Sequence, residues 1–439
     1  MTSFGLARAV TEYWRTHDDD IRNRSINNVA RQVEKVISSS TASRWLHKVG
    51  FKWKEYRKAV YNDGHERSDI KKYRQEVFLP RLESYTDRLM AWDESLNELP
   101  NPELDLGEKQ PLIFVTQDEC TFNSNDGVHY LWVHDEHKPL RKKGRGKGLH
   151  VSDFVTPIGR LGDGNTCVIM PCGGDTWWTG DKLLAQVVDK AIPDFEAQFP
   201  GCQALFAFDN SRNHLKYADN ALRVSEMNLE PGGINKKVMR NTFVIDPRQA
   251  NGGYIQSMIL PSGIPKGLRL VLIERGLWPY DRPNFRAQCS VPTKTGKGTK
   301  PNPQCLQGGT CCARALLASQ PDFQAQKSQL QEAIEQAGHL VIFYPAFHCE
   351  INFIEYYWGA AKQYTRRNCG YDFDSLQRLV PEALESVSPQ LIWKYHARTV
   401  RIMEAYRHNI VYASPEYEHM VHTRYRSHRR VTIAESASA

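Results

Sequence analysis

The chain has 439 residues, with Lys plus Arg 57 and Asp plus Glu 50, a net charge of +7. Hydrophobic residues at 41% and aromatics at 10% exclude disorder as the main state, and no run approaches the roughly 20 apolar residues of a membrane span. Ten cysteines in this length are no disulfide framework, and Met1 to Asp20 is charged without an apolar signal core, so the composition points to a reducing, intracellular compartment. A length of this kind predicts two or three domains. The mild basicity does not by itself establish a nucleic-acid partner.

Residues 1–60 read as helical. Leu6, Ala7, Val10, Tyr13 and Trp14 recur at helical spacing over Phe4 to His17, and Val29, Val33 and Val36 do so over Ser25 to Ile37. Ser40-Thr41 caps a third helix, Ala42 to Val49, that ends at Gly50. Arg44, Lys48, Lys52, Lys54, Arg57 and Lys58 there face one acid, Glu55. This pattern fits a helix-turn-helix with Thr41, Ser43 and Arg44 toward the major groove and Lys48 and Lys52 beside them. It fits equally a small helical bundle whose basic face is only solvated.

Residues 61–110 read as one long helix, Ser68 to Trp92, and a loop containing Pro and acids. Leu112 to Val115 is then strand-like and runs into Asp118. Val128 to Val133 and Val151 to Met170 are further strands, the latter turning at Gly159 to Gly164. Trp178 to Phe199 is helical, and Trp177-Trp178 suits packing better than base stacking. Ala204 to Phe208 is a buried-type strand ending in Asp209. Asn210 to Gln336 is rich in Gly, Pro and Lys, with helical pieces at Leu268 to Arg275 and Gln324 to Gln336. Leu340 to Tyr344 is a strand, followed by helices Phe353 to Asn368, Asp374 to Glu385 and Pro389 to His408. Ser388 caps the last of these. The basic tail after residue 412, with Arg424 to Arg430, is expected to be loose.

Three acids occupy comparable places: Asp118 and Asp209 at strand ends, and Glu355 in the first turn of a helix that follows a third strand. Converging carboxylates are the hard oxygen ligands that a pair of Mg²⁺ ions needs for phosphodiester cleavage. Each acid also has a plain structural role open to it. Asp after an apolar run is common in turns, and Asn352-Phe353-Ile354-Glu355 has the spacing of a capping box.

Gln117-Asp118-Glu119-Cys120-Thr121-Phe122 resembles the first motif of mariner-like DDE transposases. Asp209-Asn210-Ser211-Arg212-Asn213-His214 resembles the second. Pro345 through Glu350, Asn352, Ile354-Glu355 and Trp358 resembles the third, and Ser40 to Leu46 looks like the family's helix-turn-helix. The resemblance spans roughly Ala30 to Asn409. It implies a ribonuclease-H-like mixed α/β sheet with flanking helices, preceded by an all-α helix-turn-helix region. Asp118, Asp209 and Glu355 would then be the metal-binding triad for two Mg²⁺ (or Mn²⁺) ions, with Asn210, His214 and Asn352 positioning them. Glu350 stands where the family often has Asp, but its helical offset points it elsewhere. His348-Cys349 and Phe353 replace residues that are usually Ser-Pro and Pro.

Asp209 and Glu355 lie 146 positions apart, against a few dozen in the family. The extra length is expected to form an inserted subdomain at residues 225–336. It would interrupt a catalytic domain of residues 111–224 and 337–412, as in a long-insert subgroup of DDE superfamily endonucleases. This insert holds Cys289, Cys305, Cys311 and Cys312. Four thiolates can hold a structural Zn²⁺, but no Cys-x-x-Cys pair occurs and adjacent Cys311-Cys312 is an awkward chelate. The spacing therefore favours free thiols. Lys294 to Lys300 is a basic, glycine-containing loop without the pattern of a phosphate-binding Walker loop. Arg141 to Lys147, with Lys142, Lys143 and Arg145, is expected to contact DNA phosphates, the competing readings being nuclear localisation or a plain solvated loop.

The resemblance implies cleavage at terminal inverted repeats, strand transfer into double-stranded target DNA, a homodimer on paired ends and a nuclear location. The alternative is a domesticated or inactive sequence-specific DNA-binding protein that keeps the fold.

Overall fold

Apolar runs without polar alternation mark strands covered on both faces, and two such runs form the centre of the sheet. The computed structural model describes residues 44, 64–99, 109–127, 143–173, 177–234, 237–246, 249, 251–282, 284–292, 299–302, 305, 309–412 and 414–423. The chain divides into two units, Met1–Asp63 and Gly64–Ala439. In the first, Arg44 is helical and exposed. The other residues expected to form the helix-turn-helix, with Thr41, Ser43, Lys48 and Lys52, lie outside the described residues. So do Lys142, the strand expected at Val128 to Val133 and residues 424–439 of the basic tail. The first part of that tail, expected to be loose, is instead a helix, Pro415–Thr423, because Tyr417 and Val421 are buried in the main core.

In the second unit the strands, in chain order, are β1 (Leu112–Asn123), β2 (Gly148–Thr156), β3 (Gly159–Arg160), β4 (Val168–Pro171), β5 (Gln203–Phe208), β6 (Thr242–Ile245), β7 (Gly253–Gln256), β8 (Ser290–Pro292), β9 (Thr299–Pro301) and β10 (Leu340–Phe343). The main sheet has the order β10-β5-β1-β2-β3, with β4 also pairing β2. β10, β5 and β1 run parallel, and β2 is antiparallel to β1. This is a mixed α/β architecture. β6–β7 and β8–β9 are separate two-stranded hairpins.

Helices cover both faces of the main sheet. The first helix, α1, runs from Ser68–Tyr73 through a π-helical turn, Arg74–Phe78, into Leu79–Glu83. The second, α2, is built likewise from Gly180–Gln186, Val187–Ala191 and Ile192–Gln198. Then come α3 (Leu268–Glu274), α4 (Ala313–Ala318), α5 (Pro321–Gln324), α6 (Gln329–Gln336), α7 (Phe353–Arg367), α8 (Phe373–Glu385), α9 (Pro389–Arg407) and α10 (Pro415–Thr423). One face of the sheet (Phe114, Phe122, Val151, Leu205, Ala207) packs with α1, α7, α8 and α9. The other face (Ile113, Val115, Phe154, Ala204, Phe206) packs with Leu183, Val187 and Phe195 of α2 and with Leu330 and Ile334 of α6. Between β5 and α6 the chain builds a third core from Met227, Met258, Leu268, Val271, Leu272, Phe285 and Leu317. Helix α6 thus belongs to the main sheet rather than to that core. Among the described residues no helix is long and apolar enough to cross a membrane.

Several boundaries differ from the sequence expectation. The helix expected over Ser68 to Trp92 ends at Glu83. Beyond it the chain runs beside β1, where Met90 N donates to Leu112 O (2.9 Å) and Leu112 N to Arg88 O (2.8 Å). Pairing with β1 and burial of Trp92 outweigh the local helical periodicity there. Helix α2 starts at Gly180 rather than at Trp178, because the Thr179 hydroxyl caps it by accepting from Lys182 N (3.4 Å). Helix α6 starts at Gln329 rather than at Gln324, with Ser328 Oγ accepting from Gln331 N (3.2 Å). Ser388 caps α9 through Leu391 N (3.3 Å).

Candidate functional site

Strand register brings the first two acids abreast. β1 and β5 pair in parallel with Thr116 opposite Ala207, so Asp118 and Asp209 both lie two residues beyond that pair. Both therefore share the face that Phe114, Leu205 and Ala207 present to α7. Asp209 follows the end of β5 as expected, whereas Asp118 lies within β1 rather than at its end, because pairing with β2 carries the strand on to Asn123. Across β10, Phe343 pairs with Phe208 and Tyr344 N donates to Phe208 O (2.8 Å). The chain then crosses Pro345 to Asn352 and enters α7, whose first turn carries Glu355. Asp118, Asp209 and Glu355 line one cavity of about 210 Å³, together with Asn210, His348 and Asn352.

The start of α7 is clamped to the sheet. Asn352 Oδ1 accepts from Thr116 Oγ1 (2.6 Å), and Thr116 Oγ1 accepts from Tyr344 OH (3.1 Å). Asn352 makes no side-chain cap bond, and its backbone N–H donates to Cys349 O (3.1 Å). The capping-box reading of Asn352 and Glu355 therefore fails, and the Glu355 carboxyl belongs to the cavity. Glu350 is turned elsewhere. Its Oε1 accepts from Tyr406 OH (2.6 Å) and meets His348 Nδ1 (2.6 Å) and His65 Nε2 (3.2 Å). Burial opposes its charge, but these three partners hold its pKa down to about 2.

The three acids differ in electrostatic state. Burial, and then the charge of Glu355, pushes the Asp118 carboxyl well above the usual range. Burial also raises Glu355, against a hydrogen bond with Asp118 and the charge of Lys362. Asp209 is burdened by burial as well, yet it ends below its ordinary value because His214 bonds it. His214 Nδ1 lies 2.5 Å from Asp209 Oδ1, and Ser211 N donates to the same oxygen (2.9 Å). His214 is fully buried, with Nε2 3.6 Å from Glu119 Oε1, an ion pair rather than a hydrogen bond. Burial would discharge the imidazole, but the two carboxylates beside it keep it protonated up to about pH 10. Asn210 Nδ2 donates to Tyr344 O (2.6 Å), tying the end of β5 to the end of β10.

With Asp209 turned to His214, the three acids are not among the clusters whose donor atoms all lie within 4.8 Å of one another. Two other sets are, among the described residues: His65, His348 and Glu350, and Cys289, Cys305, Cys311 and Cys312. The donor set of the cavity nevertheless suits a hard divalent cation. It has three carboxyl groups, two of them raised by burial and like charge, and a cation removes both penalties.

Two contributors are not singled out by sequence. Glu119 lies on the other face of β1, where it accepts from Trp178 Nε1 (2.8 Å) and Gln117 Nε2 (3.3 Å). It is thereby placed as the second counter-charge for His214. Its only signal is that it adjoins Asp118. Lys362, two turns beyond Glu355 on α7, could be found from the helical repeat of seven. Of the basic cluster before β2, Lys143 and Arg145 are exposed. Trp178 serves packing and positioning, with its ring 5.0 Å from that of His150.

No family model matches the chain, and no curated protein matches it. Solved structures similar to it include a Mos1 transposase paired-end complex with left transposon end, at a TM-score of 0.48 and 10% identity, covering 93% of this chain and 79% of that one. The Mos1 mariner paired-end complex with Mn is similar at 0.48 and 11% identity, covering 94% and 80%. The Mos1 transposase catalytic domain with Raltegravir and Mg is similar at 0.33 and 9% identity, covering 78% and 93%. Likeness of this degree assigns no chemistry; the side chains have to.

Proposed function

We propose that the chain is a divalent-metal-dependent DNA endonuclease and transposase of the DDE type, with a ribonuclease-H-like catalytic domain. The observation that carries this is the cavity in which Asp118, Asp209 and Glu355 meet from three separate parts of the sequence. Two of its carboxyls are raised, first by burial and then by like charge, Asp118 by that of Glu355 and Glu355 by that of Asp209. The motifs around these acids agree in order with mariner-like DDE transposases, with an insertion between the second and the third.

In this reading the three carboxylates hold two Mg²⁺ or Mn²⁺ ions. Such ions lower the pKa of bound water and offset charge on the leaving oxygen. The residues of the chain supply position. His214 fixes the Asp209 carboxylate through Oδ1. Asn352 and Thr116 hold the first turn of α7, and so Glu355, against β1. Asn210 locks β5 to β10. Water then cleaves a phosphodiester at the element end, and the freed 3′-hydroxyl attacks a phosphodiester of the target. The N-terminal unit binds the terminal inverted repeats through Thr41, Ser43, Arg44, Lys48 and Lys52. Lys142, Lys143 and Arg145 contact phosphates without reading sequence. The protein acts as a homodimer on paired ends, in the nucleus.

The test uses duplexes selected for binding to the full-length protein, incubated with Mg²⁺ or Mn²⁺. Metal-dependent cleavage leaving 3′-hydroxyl ends, lost in Asp209→Ala and Glu355→Gln, is the expected result. Binding without any metal-dependent cleavage would leave a sequence-specific DNA-binding protein with an idle fold. Cleavage of RNA or hybrid duplexes in place of DNA would overturn the transposase assignment.

A further inference from the structure

The region between β5 and α6 carries a chemistry of its own. Cys289 immediately precedes β8, and Cys305 follows β9. Cys311 and Cys312 immediately precede α4. The hairpin pairs Ser290 with Pro301, Val291 with Lys300 and Pro292 with Thr299, and among the described residues it joins no other sheet. The Sγ atoms of all four cysteines lie within 4.8 Å of one another, with those of Cys305 and Cys311 at 3.4 Å. Four sulfurs around a zinc ion at about 2.3 Å stand about 3.8 Å apart. Adjacent Cys311 and Cys312 reach this cluster because the chain turns into α4 there, a geometry that residue spacing does not reveal.

Among the described residues the cluster has little else to hold it. Its buried residues are Cys305, Cys312 and Ala315, with Cys289 packed against them. A two-stranded hairpin with three-residue strands is marginal by itself, and one alanine methyl supplies little apolar burial. Around it the chain is well anchored. Ala313 N donates to Arg286 O (2.9 Å) and Arg314 N to Ala287 O (3.0 Å), while Ala313 and Leu317 enter the third core. What lacks an ordinary packing explanation is the hairpin itself, and it is gathered around sulfur.

We propose that Cys289, Cys305, Cys311 and Cys312 form a structural zinc site that clips the β8–β9 hairpin to the start of α4. All four positions are taken by thiolate, so the site is closed and performs no catalysis. Binding replaces four thiol protons with one Zn²⁺ and leaves the centre with a charge of −2. The sequence between the strands carries Lys294 and Lys297, and β9 carries Lys300, a favourable complement to that charge. A pair of disulfides is the competing use of four cysteines. It would separate them into two couples at about 2.05 Å, whereas all four sulfurs here share one centre. The site is independent of the acid cavity and stands or falls without it.

The experiment takes the full-length protein, purified under reducing conditions without chelator, and measures zinc by elemental analysis. One zinc per chain is expected, undisturbed by excess Mg²⁺. Exchange for Co²⁺ should give the intense visible absorption of a tetrahedral tetrathiolate centre. Cys305→Ser and Cys311→Ser should lose at least half of the bound zinc, while Cys202→Ser, outside the cluster, keeps it. Should the cysteine variants fail to fold, the cobalt spectrum of the wild-type protein decides by itself. A folded wild-type protein without zinc that takes up no Co²⁺, a cobalt spectrum of oxygen or nitrogen ligation, or two disulfides in thiol titration would each overturn the assignment.

Discussion

Replacing Glu355 with Gln removes one of two buried carboxyls that face each other, and divalent ions cancel its effect on stability. Burial and neighbouring charge raise both Asp118 and Glu355. A carboxyl raised on folding stabilises the fold fully below its unfolded pKa and loses that contribution as pH climbs through the folded pKa. In metal-free buffer the contribution of this pair therefore fades from about pH 4 upward, and the variant loses less of it. Two carboxylates in contact repel by about 4 kcal/mol at an effective dielectric of about 20. The hydrogen bond between Asp118 and Glu355 offsets much of this, leaving about 1–2 kcal/mol for the substitution to release. That corresponds to a Tm rise of about 1–2 °C for a chain of this length. Divalent ions at ten times their Kd add about 1.4 kcal/mol to the wild type, while the variant lacks a ligand and gains little. Thermal unfolding at about pH 5 and pH 8, with and without excess Mg²⁺ or Mn²⁺, reads both effects. DNA cleavage by the variant should fall more than about 100-fold. A variant less stable than wild type in metal-free buffer at the higher pH, or one that gains as much from Mg²⁺, would refute the reasoning.

His214 is held protonated to about pH 10, so its contribution is complete below its ordinary 6.5 and fades as pH rises toward 10. His214→Gln should flatten this alkaline limb in a stability–pH profile and weaken cleavage by about 10–100-fold through loss of Asp209 orientation. Glu350, held near 2, contributes above its ordinary 4.5 and loses that contribution as pH falls toward 2. Glu350→Gln should remove this acid limb and cost about 2–4 kcal/mol at neutral pH in urea unfolding, while a cleavage loss matching that of Glu355→Gln would contradict its placement outside the cavity. Lys143→Ala with Arg145→Ala should weaken DNA binding alike for all sequences. The slope of log affinity against log salt should fall by about 1–2, and an unchanged slope would remove these residues from the interface.

The apolar runs before Asp118 and Asp209 were legible because a strand covered on both faces needs no alternation, and an aspartate that ends such a run is conspicuous. Ser388 and the start of α9 were legible because capping is local chemistry. The third acid needed motif resemblance, since Asn352 and Glu355 satisfy the spacing of a capping box. Only the bond from Thr116 to Asn352 decides against it. Tertiary structure also decided where α1 stops, because pairing of Met90 with Leu112 is invisible to helical periodicity. It decided what His214 does, because Asp209 and Glu119 approach it from two strands. It decided the grouping of four cysteines whose spacing argued against them. Propensity, capping and periodicity act within a few residues and can be read along the chain. Register, burial and the meeting of charges depend on residues far apart in sequence, and those exist only once the sheet has formed.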